Sequence, residues 1–194
     1  MFPGLTINSN SKIQGKNMSK QNFLSHDDVT RLISAIPDGI NGWRDRCMLL
    51  MCFTHGLRAS ELCGLQLKDV DPTINFLHID RLKNGIPVEH PIQFRERIAL
   101  VKWLQQRPAC LHSASPWLFL SRNGHKISRQ QLYRLIKSYG ERAGISGKVH
   151  PHMLRHACGY ALANRGIDTR LIQAYLGHKN RQNTAIYKAG TFSH

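Results

Sequence analysis

The chain has 194 residues, 41% of them hydrophobic and 20% charged, which excludes collagen-like, coiled-coil and wholly disordered proteins. Lysine and arginine number 27 against 12 aspartate and glutamate residues, so the formal net charge is +15. This surplus predicts a polyanionic partner, with nucleic acid first and an anionic membrane surface second.

Residues 1–22 are predicted to be a flexible basic tail, which either touches a DNA backbone or remains solvated. They include three lysines, no acidic residue and no helical or strand period. Neither a secretory signal nor an apolar run of ~18 residues, the length of a membrane span, is present in the sequence. We therefore expect a cytoplasmic protein.

Five cysteines are scattered along the chain without any C-x-x-C spacing: Cys47, Cys52, Cys63, Cys110 and Cys158. The odd number of cysteines argues against a disulfide framework, and the lack of C-x-x-C spacing argues against a zinc knuckle. Buried free thiols are expected instead.

Helical patterning begins at Phe23, where Ser25 and Asp28 resemble a capping box. A second helix, apolar enough to be central in the core, is predicted from about Gly42 to Gly56, which is a plausible stop. Further helices are predicted at about 94–106, 128–143 and 151–165, with shorter ones at 169–176 and 182–188.

Between the second helix and residue 94 the hydrophobic period changes to that of short strands, at about 70–80 and 86–92. Asn84-Gly85 favours a hairpin turn, which places Lys83 at its tip. The predicted fold class is therefore mainly α with a small antiparallel β-sheet or hairpin.

Most of the surplus of positive charge lies in residues 121–194, which hold 13 lysines and arginines but only Glu141 and Asp168 as acids. In the predicted helix at 128–143, Arg129, Arg134 and Lys137 lie between the apolar positions. They are candidate DNA-binding residues, although a charged helix face is as often only solvated.

A histidine-rich motif, His150-Pro151-His152-Met153-Leu154-Arg155-His156, opens the predicted helix at 151–165. Proline is tolerated at the first helical position, and residues three apart are neighbours on a helix. His152 and Arg155 are therefore expected to share a face near free backbone amides, where a phosphate would fit. The four-residue spacing of His152 and His156 resembles a zinc helix, but no Glu lies between them, so we expect no metal.

Five local motifs then occur in a fixed order along the chain. They are Gly56-Leu57-Arg58-Ala59-Ser60-Glu61-Leu62, Lys83 at the hairpin tip, His152-x-x-Arg155, Leu176-Gly177-His178 and Tyr187. This order resembles the catalytic domain of the tyrosine recombinases, the integrase and Xer-type family, from about Phe23 to Tyr187. Within that family the chain looks most like the small fimbrial phase-switch DNA invertases.

The resemblance implies a role for each of these residues. Tyr187 would attack a DNA phosphodiester and form a 3′-phosphotyrosyl link, which stores the bond energy so that neither metal nor cofactor is needed. Arg58 and Arg155 would hold the non-bridging oxygens, and Lys83 would protonate the leaving 5′-oxygen. His152 and His178 would assist as proton-transfer or hydrogen-bonding partners. Glu61 is expected to support Arg58.

The chain also departs from the family pattern at both ends. Residues 23–194 would form the catalytic domain alone, because the 22 residues before Phe23 are too few for the separate N-terminal core-binding domain of most members. Only seven residues follow Tyr187, where many relatives use a longer segment to contact a neighbouring subunit. The resemblance nevertheless implies a homo-tetramer on synapsed double-stranded DNA, in the nucleoid, with accessory DNA-bending proteins.

The sequence thus predicts a site-specific recombinase that inverts a promoter segment flanked by inverted repeats and controls fimbrial phase variation. Excision, integration and type IB topoisomerase chemistry would use the same nucleophile. A non-catalytic basic DNA-binding regulator is the alternative from another class; membrane association is disfavoured because no basic amphipathic segment has an aromatic-rich face.

Overall fold

The computed structural model describes residues 24–71, 75–80, 87–110, 112, 114–147 and 149–177. Within this part of the chain the fold contains seven α-helices and three short strands. In chain order the helices are α1 His26–Ser34, α2 Ile40–Thr54, α3 Ala59–Gly64, α4 Phe94–Gln106, α5 Arg129–Arg142, α6 Pro151–Asn164 and α7 Thr169–Tyr175. The strands β1 Val70–Asp71, β2 Phe76–Ile79 and β3 Val88–Pro91 lie between α3 and α4. The mainly α class with a small antiparallel sheet is confirmed.

Local hydrogen bonds fix the beginnings of two helices at the residues expected from the sequence. At α1, the Asp28 amide donates to Ser25 Oγ and the Ser25 amide donates to Asp28 Oδ2, at 3.1 and 3.0 Å. Ser128 and Gln131 form the same reciprocal pair at the start of α5. Each pair satisfies helix-end donors that would otherwise lack partners.

Helix α2 is the centre of the core. Its side chains Cys47, Met48, Leu49, Met51 and Cys52 are fully buried, and the helix packs against α1, α3, α4 and α6. It starts at Ile40, two residues before the expected start at Gly42. Gly56 follows the last turn with φ of +57°, which confirms the predicted stop.

A buried polar cluster connects α2 with α5. Tyr139 Oη donates to Asp45 Oδ2 at 2.5 Å, and Arg44 Nε donates to Asp45 Oδ1 at 2.7 Å. Arg44 also donates to the backbone oxygen of Leu120 at 2.9 Å. Burial and the neighbouring Asp45 carboxylate raise the pKa of Tyr139 well above its ordinary value. The hydroxyl therefore stays protonated and acts as a donor.

The three strands form one antiparallel sheet in the order β1-β2-β3. Leu77 and Ile79 of β2 point into the core, whereas Phe76 and His78 are exposed, which is the alternation of a half-buried strand. His90 of β3 lies opposite Leu77 and is buried with it. The hairpin predicted from Asn84-Gly85 therefore has its two strands in place, while residues 81–86 lie outside the described residues.

All five cysteines are free thiols, four of them buried and Cys110 half-buried, which agrees with the expectation. Burial raises the pKa of Cys63 to about 11, so this thiol is uncharged near neutral pH. No helix among the described residues is both long and apolar enough to cross a membrane. The predicted basic tail at 1–22 and the predicted helix at 182–188 lie outside the described part of the chain.

Candidate active site

Arg58 lies at the beginning of α3, a short helix that the sequence pattern did not predict. Its backbone amide donates to Glu61 Oε2 at 2.8 Å, and its Nη1 donates to Glu61 Oε1 at 2.6 Å. The Glu61 side chain is completely buried, whereas that of Arg58 is 32% exposed. The expected contact between the two residues is confirmed, and it leaves the guanidinium fixed at one edge and accessible at the other.

The turn before Arg58 depends on Gly56. Its positive φ is a conformation that strains residues with a Cβ, and a Cβ at this position would lie 2.3 Å from Leu176 Cδ2. Cys158 Sγ would be only 3.3 Å away. The turn that leads to Arg58 therefore packs directly against α6 and the residue that follows α7.

Arg155, on the second turn of α6, connects this turn to the end of α7. Its Nη1 donates to the carbonyl oxygen of Gly56, and its Nη2 donates to the carbonyl oxygen of Leu176 at 2.7 Å. Two residues of chain span at most about 7 Å, so the Arg155 guanidinium is held close to the backbone of Arg58. At least two of the five donors of Arg155 hold the fold together.

His152 and Arg155 differ in exposure more than their shared helix face suggested. His152 is exposed on the first turn of α6, whereas Arg155 is only 6% exposed. The difference arises because the long Arg155 side chain extends into the contact between the α2–α3 turn and the end of α7. His152 therefore lies at the surface and Arg155 lies beneath it.

His150 precedes α6 as its N-cap residue, and Pro151 occupies the first helical position as expected. Its ring lies between Tyr133, with ring centroids 6.3 Å apart, and His152, at 6.5 Å. Burial, followed by the nearby His152 and His156, lowers the pKa of His150. A neutral imidazole is therefore favoured next to the exposed His152.

The three histidines of this motif do not form a metal site. The rings of His152 and His156 are 6.3 Å apart and tilted, and those of His150 and His152 meet edge-on. Across the described ranges, no group of three His, Cys, Asp or Glu side chains is placed to bind a metal ion.

Of the six predicted catalytic residues, the structure places Arg58, Arg155 and His152. Lys83, His178 and Tyr187 lie outside the described residues. The elements beside two of them are nevertheless defined: Lys83 lies in the connection between β2 and β3, and His178 directly follows Gly177 at the end of α7. The arrangement joins the Arg58 turn to that end of α7 through Arg155.

The three candidate DNA-binding residues, Arg129, Arg134 and Lys137, are exposed on α5. Lys137 Nζ lies 3.5 Å from Glu141 Oε1, and both side chains are more than half exposed. A pair of this kind contributes little to stability, so it does not prevent Lys137 from binding an anion.

Sequence reasoning missed a set of buried polar residues that includes His55, close to the Arg58 turn in the chain. His55 and Glu96 are completely buried and bonded to each other, and His90 lies beside His55. These residues are far apart in sequence and have no common motif. The only signals in the sequence were His55 at the end of a predicted apolar helix and His90 in a predicted strand.

The phage integrase family model matches residues 22–194 of this chain. The chain is 49% identical over 170 residues to the type 1 fimbriae regulatory protein FimB of Escherichia coli K12, which covers 88% of this chain and 85% of that protein. It is 46% identical over 173 residues to the type 1 fimbriae regulatory protein FimE of the same strain, covering 89% and 87% respectively.

Among solved structures, the crystal structure of XerA recombinase matches with a TM-score of 0.71 and 29% identity. The match covers 81% of this chain and 56% of that one, so this chain spans little more than half of the XerA chain.

Proposed function

This chain belongs to the phage integrase family, the tyrosine recombinases, and we propose that it is a site-specific DNA recombinase that inverts a promoter segment between inverted repeats. Inversion of this segment controls fimbrial phase variation. The similarity to FimB and FimE supports this role. The observation that carries the proposal is the contact of Arg155 with Gly56, which joins two arginine-bearing segments 99 residues apart.

Arg58 and Arg155 hold the scissile phosphate in this mechanism. A guanidinium is planar and permanently charged, and its paired donors match two phosphate oxygens better than an ammonium does. Because Glu61 and the two carbonyl oxygens fix these side chains before DNA binds, little reorganisation is needed as negative charge develops at phosphorus.

Tyr187 supplies the nucleophile. Its oxygen forms a bond to phosphorus as the bond to the 5′-oxygen breaks, and the product is a 3′-phosphotyrosyl link and a free 5′-hydroxyl. Lys83 gives a proton to the departing 5′-oxygen, while His152 and His178 take part in moving the tyrosine proton. Attack by a 5′-hydroxyl from another strand reverses these steps and rejoins the DNA.

The DNA partner fits the charge of the chain, which is +15 overall and most positive after residue 120. Exposed Arg129, Arg134 and Lys137 contact the DNA backbone. Four copies of the chain assemble on two synapsed sites, in the cytoplasm and on nucleoid DNA, with accessory proteins that bend the intervening segment.

An inversion assay in cells tests this function. A plasmid carries the DNA beside the gene for this chain, and sequencing across each candidate segment reads its orientation after expression of wild type or Tyr187→Phe. The proposal requires both orientations with wild type and a single orientation with Tyr187→Phe. A single orientation with both chains, together with altered transcription, would instead indicate a non-catalytic regulator.

A further inference from the structure

A row of four polar side chains, three of them buried, connects four elements of the fold. Glu96 of α4 and His55 at the end of α2 are bonded at 2.6 Å between Oε1 and Nε2. The Nδ1 atoms of His55 and His90 lie 3.3 Å apart, and the His90 ring stacks on Tyr175 of α7 with centroids 4.0 Å apart. We name these four residues the His55–His90 network.

Filling the core does not by itself require polar side chains at these positions. The side chains of His55 and Glu96 are 0% exposed, and His90 is 2% exposed. A buried polar pair of this kind is often no more stabilising than apolar residues of the same volume. Packing alone therefore gives no reason for two histidines and a glutamate at these positions.

The hydrogen bonds orient both imidazole rings. A carboxylate can only accept, so Nε2 of His55 carries the proton in its bond to Glu96. The two Nδ1 atoms of His55 and His90 share the second hydrogen bond. His90 is thereby held at one edge by His55 and on one face by the Tyr175 ring.

Two members of the network lie a few residues before a predicted catalytic residue in the sequence. His55 is three residues before Arg58, and Tyr175 is three residues before His178. His90 is on β3, the strand that follows the connection containing Lys83. In addition, Tyr175 Oη donates to the carbonyl oxygen of Thr54 at 2.9 Å, which ties α7 back to the end of α2.

We propose that His90 is a positioning residue, which through the His55–His90 network keeps the Arg58 turn, the strand after Lys83 and the helix before His178 in a fixed relative position. This inference rests on the proposed recombinase function. It assigns His90 no contact with DNA; its effect is on the alignment of the groups that react.

Two substitutions separate the two contacts of His90. His90→Asn retains a side-chain nitrogen near the position of Nδ1 but removes the ring, whereas His90→Phe retains the ring that stacks on Tyr175 and removes the hydrogen bond to His55. The matched control is His78→Phe on the neighbouring strand, where the histidine side chain is 45% exposed. Each chain is compared by three measurements: thermal midpoint, affinity for a nicked duplex from its own locus, and single-turnover rate of covalent attachment to that duplex at saturation.

For His90→Phe we expect an attachment rate roughly ten- to a hundredfold below that of wild type, because a shift of about 1 Å in reacting groups has an effect of this size. The affinity for the duplex should remain within about twofold, His90→Asn should recover part of the rate, and His78→Phe should match wild type. If His90→Phe does not fold, Tyr175→Leu, which removes the ring that stacks on His90, replaces it and should also slow attachment without weakening binding.

A folded His90→Phe chain with the wild-type rate would overturn the inference and leave the recombinase function intact. Rates and affinities that fall together in both His90 variants would also overturn it, since they indicate only a damaged fold. A wild-type chain that forms no covalent attachment would contradict the proposed function itself, and the inference with it.

Discussion

The guanidinium of Arg155 donates a hydrogen bond to the carbonyl oxygen of Gly56, two residues before Arg58. The same guanidinium donates to the carbonyl oxygen of Leu176, two residues before His178. A residue expected to bind phosphate thus also holds together the segments that carry two other candidate catalytic residues. Substitution at this point should affect stability as well as chemistry.

Arg155→Lys should lower the free energy of unfolding by about 1–3 kcal/mol, the penalty for leaving a buried acceptor unsatisfied. A single ammonium lacks the forked geometry that satisfies the Gly56 and Leu176 oxygens together. Urea unfolding measures the change, and Arg165→Lys on the exposed end of α6 is the control, expected within about 0.5 kcal/mol of wild type. Equal stability of the two variants would contradict the structural role of Arg155.

Gly56→Ala should destabilise the chain more than Gly144→Ala does. Both glycines have positive φ, at +57° and +64°, so both substitutions carry the left-handed strain of about 1–2 kcal/mol. Only the Gly56 Cβ would meet another side chain, at 2.3 Å from Leu176 Cδ2, whereas nothing lies within 4 Å at Gly144. Urea unfolding of the two variants compares them directly, and an equal loss would show that the contact with Leu176 is unimportant.

The stability of wild type should decrease as the pH falls below about 6.5, the ordinary pKa of histidine, in part because of His150. Burial lowers the pKa of His150 in the folded state, so between the two pKa values the unfolded chain binds a proton that the folded chain does not. Above about pH 6.5 this contribution is fully present. Urea unfolding at pH 7.5 and at a mildly acidic pH should show a smaller loss for His150→Asn than for wild type; identical losses would argue against it.

Arg134→Gln should weaken DNA binding about equally for all sequences and reduce the slope of log affinity against log salt by about one, as expected for the loss of one phosphate contact. Arg134 is exposed on α5. Arg31→Gln on α1 is the comparison, since Arg31 is also exposed but is not one of the predicted DNA-binding residues. Salt titrations of binding to a labelled duplex measure both slopes, and an unchanged slope for Arg134→Gln would remove this residue from the interface.

Local rules were sufficient for much of the fold. The starts of three helices could be predicted from the hydrogen-bonding and backbone preferences of single residues, namely Ser25, Ser128 and Pro151. In the structure, α1, α5 and α6 begin at or directly after these residues. The alternation in β2 likewise follows from a strand with one buried face. Helix α3 was missed because six residues are too few to show a helical period.

Long-range contacts were beyond the reach of such rules. The spacing of His152 and Arg155 gave their positions on α6 but not the burial of Arg155, which depends on partners 99 and 21 residues away. The pairing of His55 with Glu96 likewise depends on how α2 packs against α4. A pattern in one segment contains no information on which distant backbone oxygen its side chain will meet.

The most direct measurement is a test for covalent attachment of the chain to DNA. Purified wild type and Tyr187→Phe are each incubated with a labelled, nicked duplex from the chain's own locus, without metal or nucleotide. The nick lets the short fragment bearing the 5′-hydroxyl diffuse away, so the phosphotyrosyl intermediate accumulates. The account predicts a denaturant-resistant protein–DNA adduct with wild type and none with Tyr187→Phe; tight, salt-sensitive binding of wild type without any adduct would contradict it.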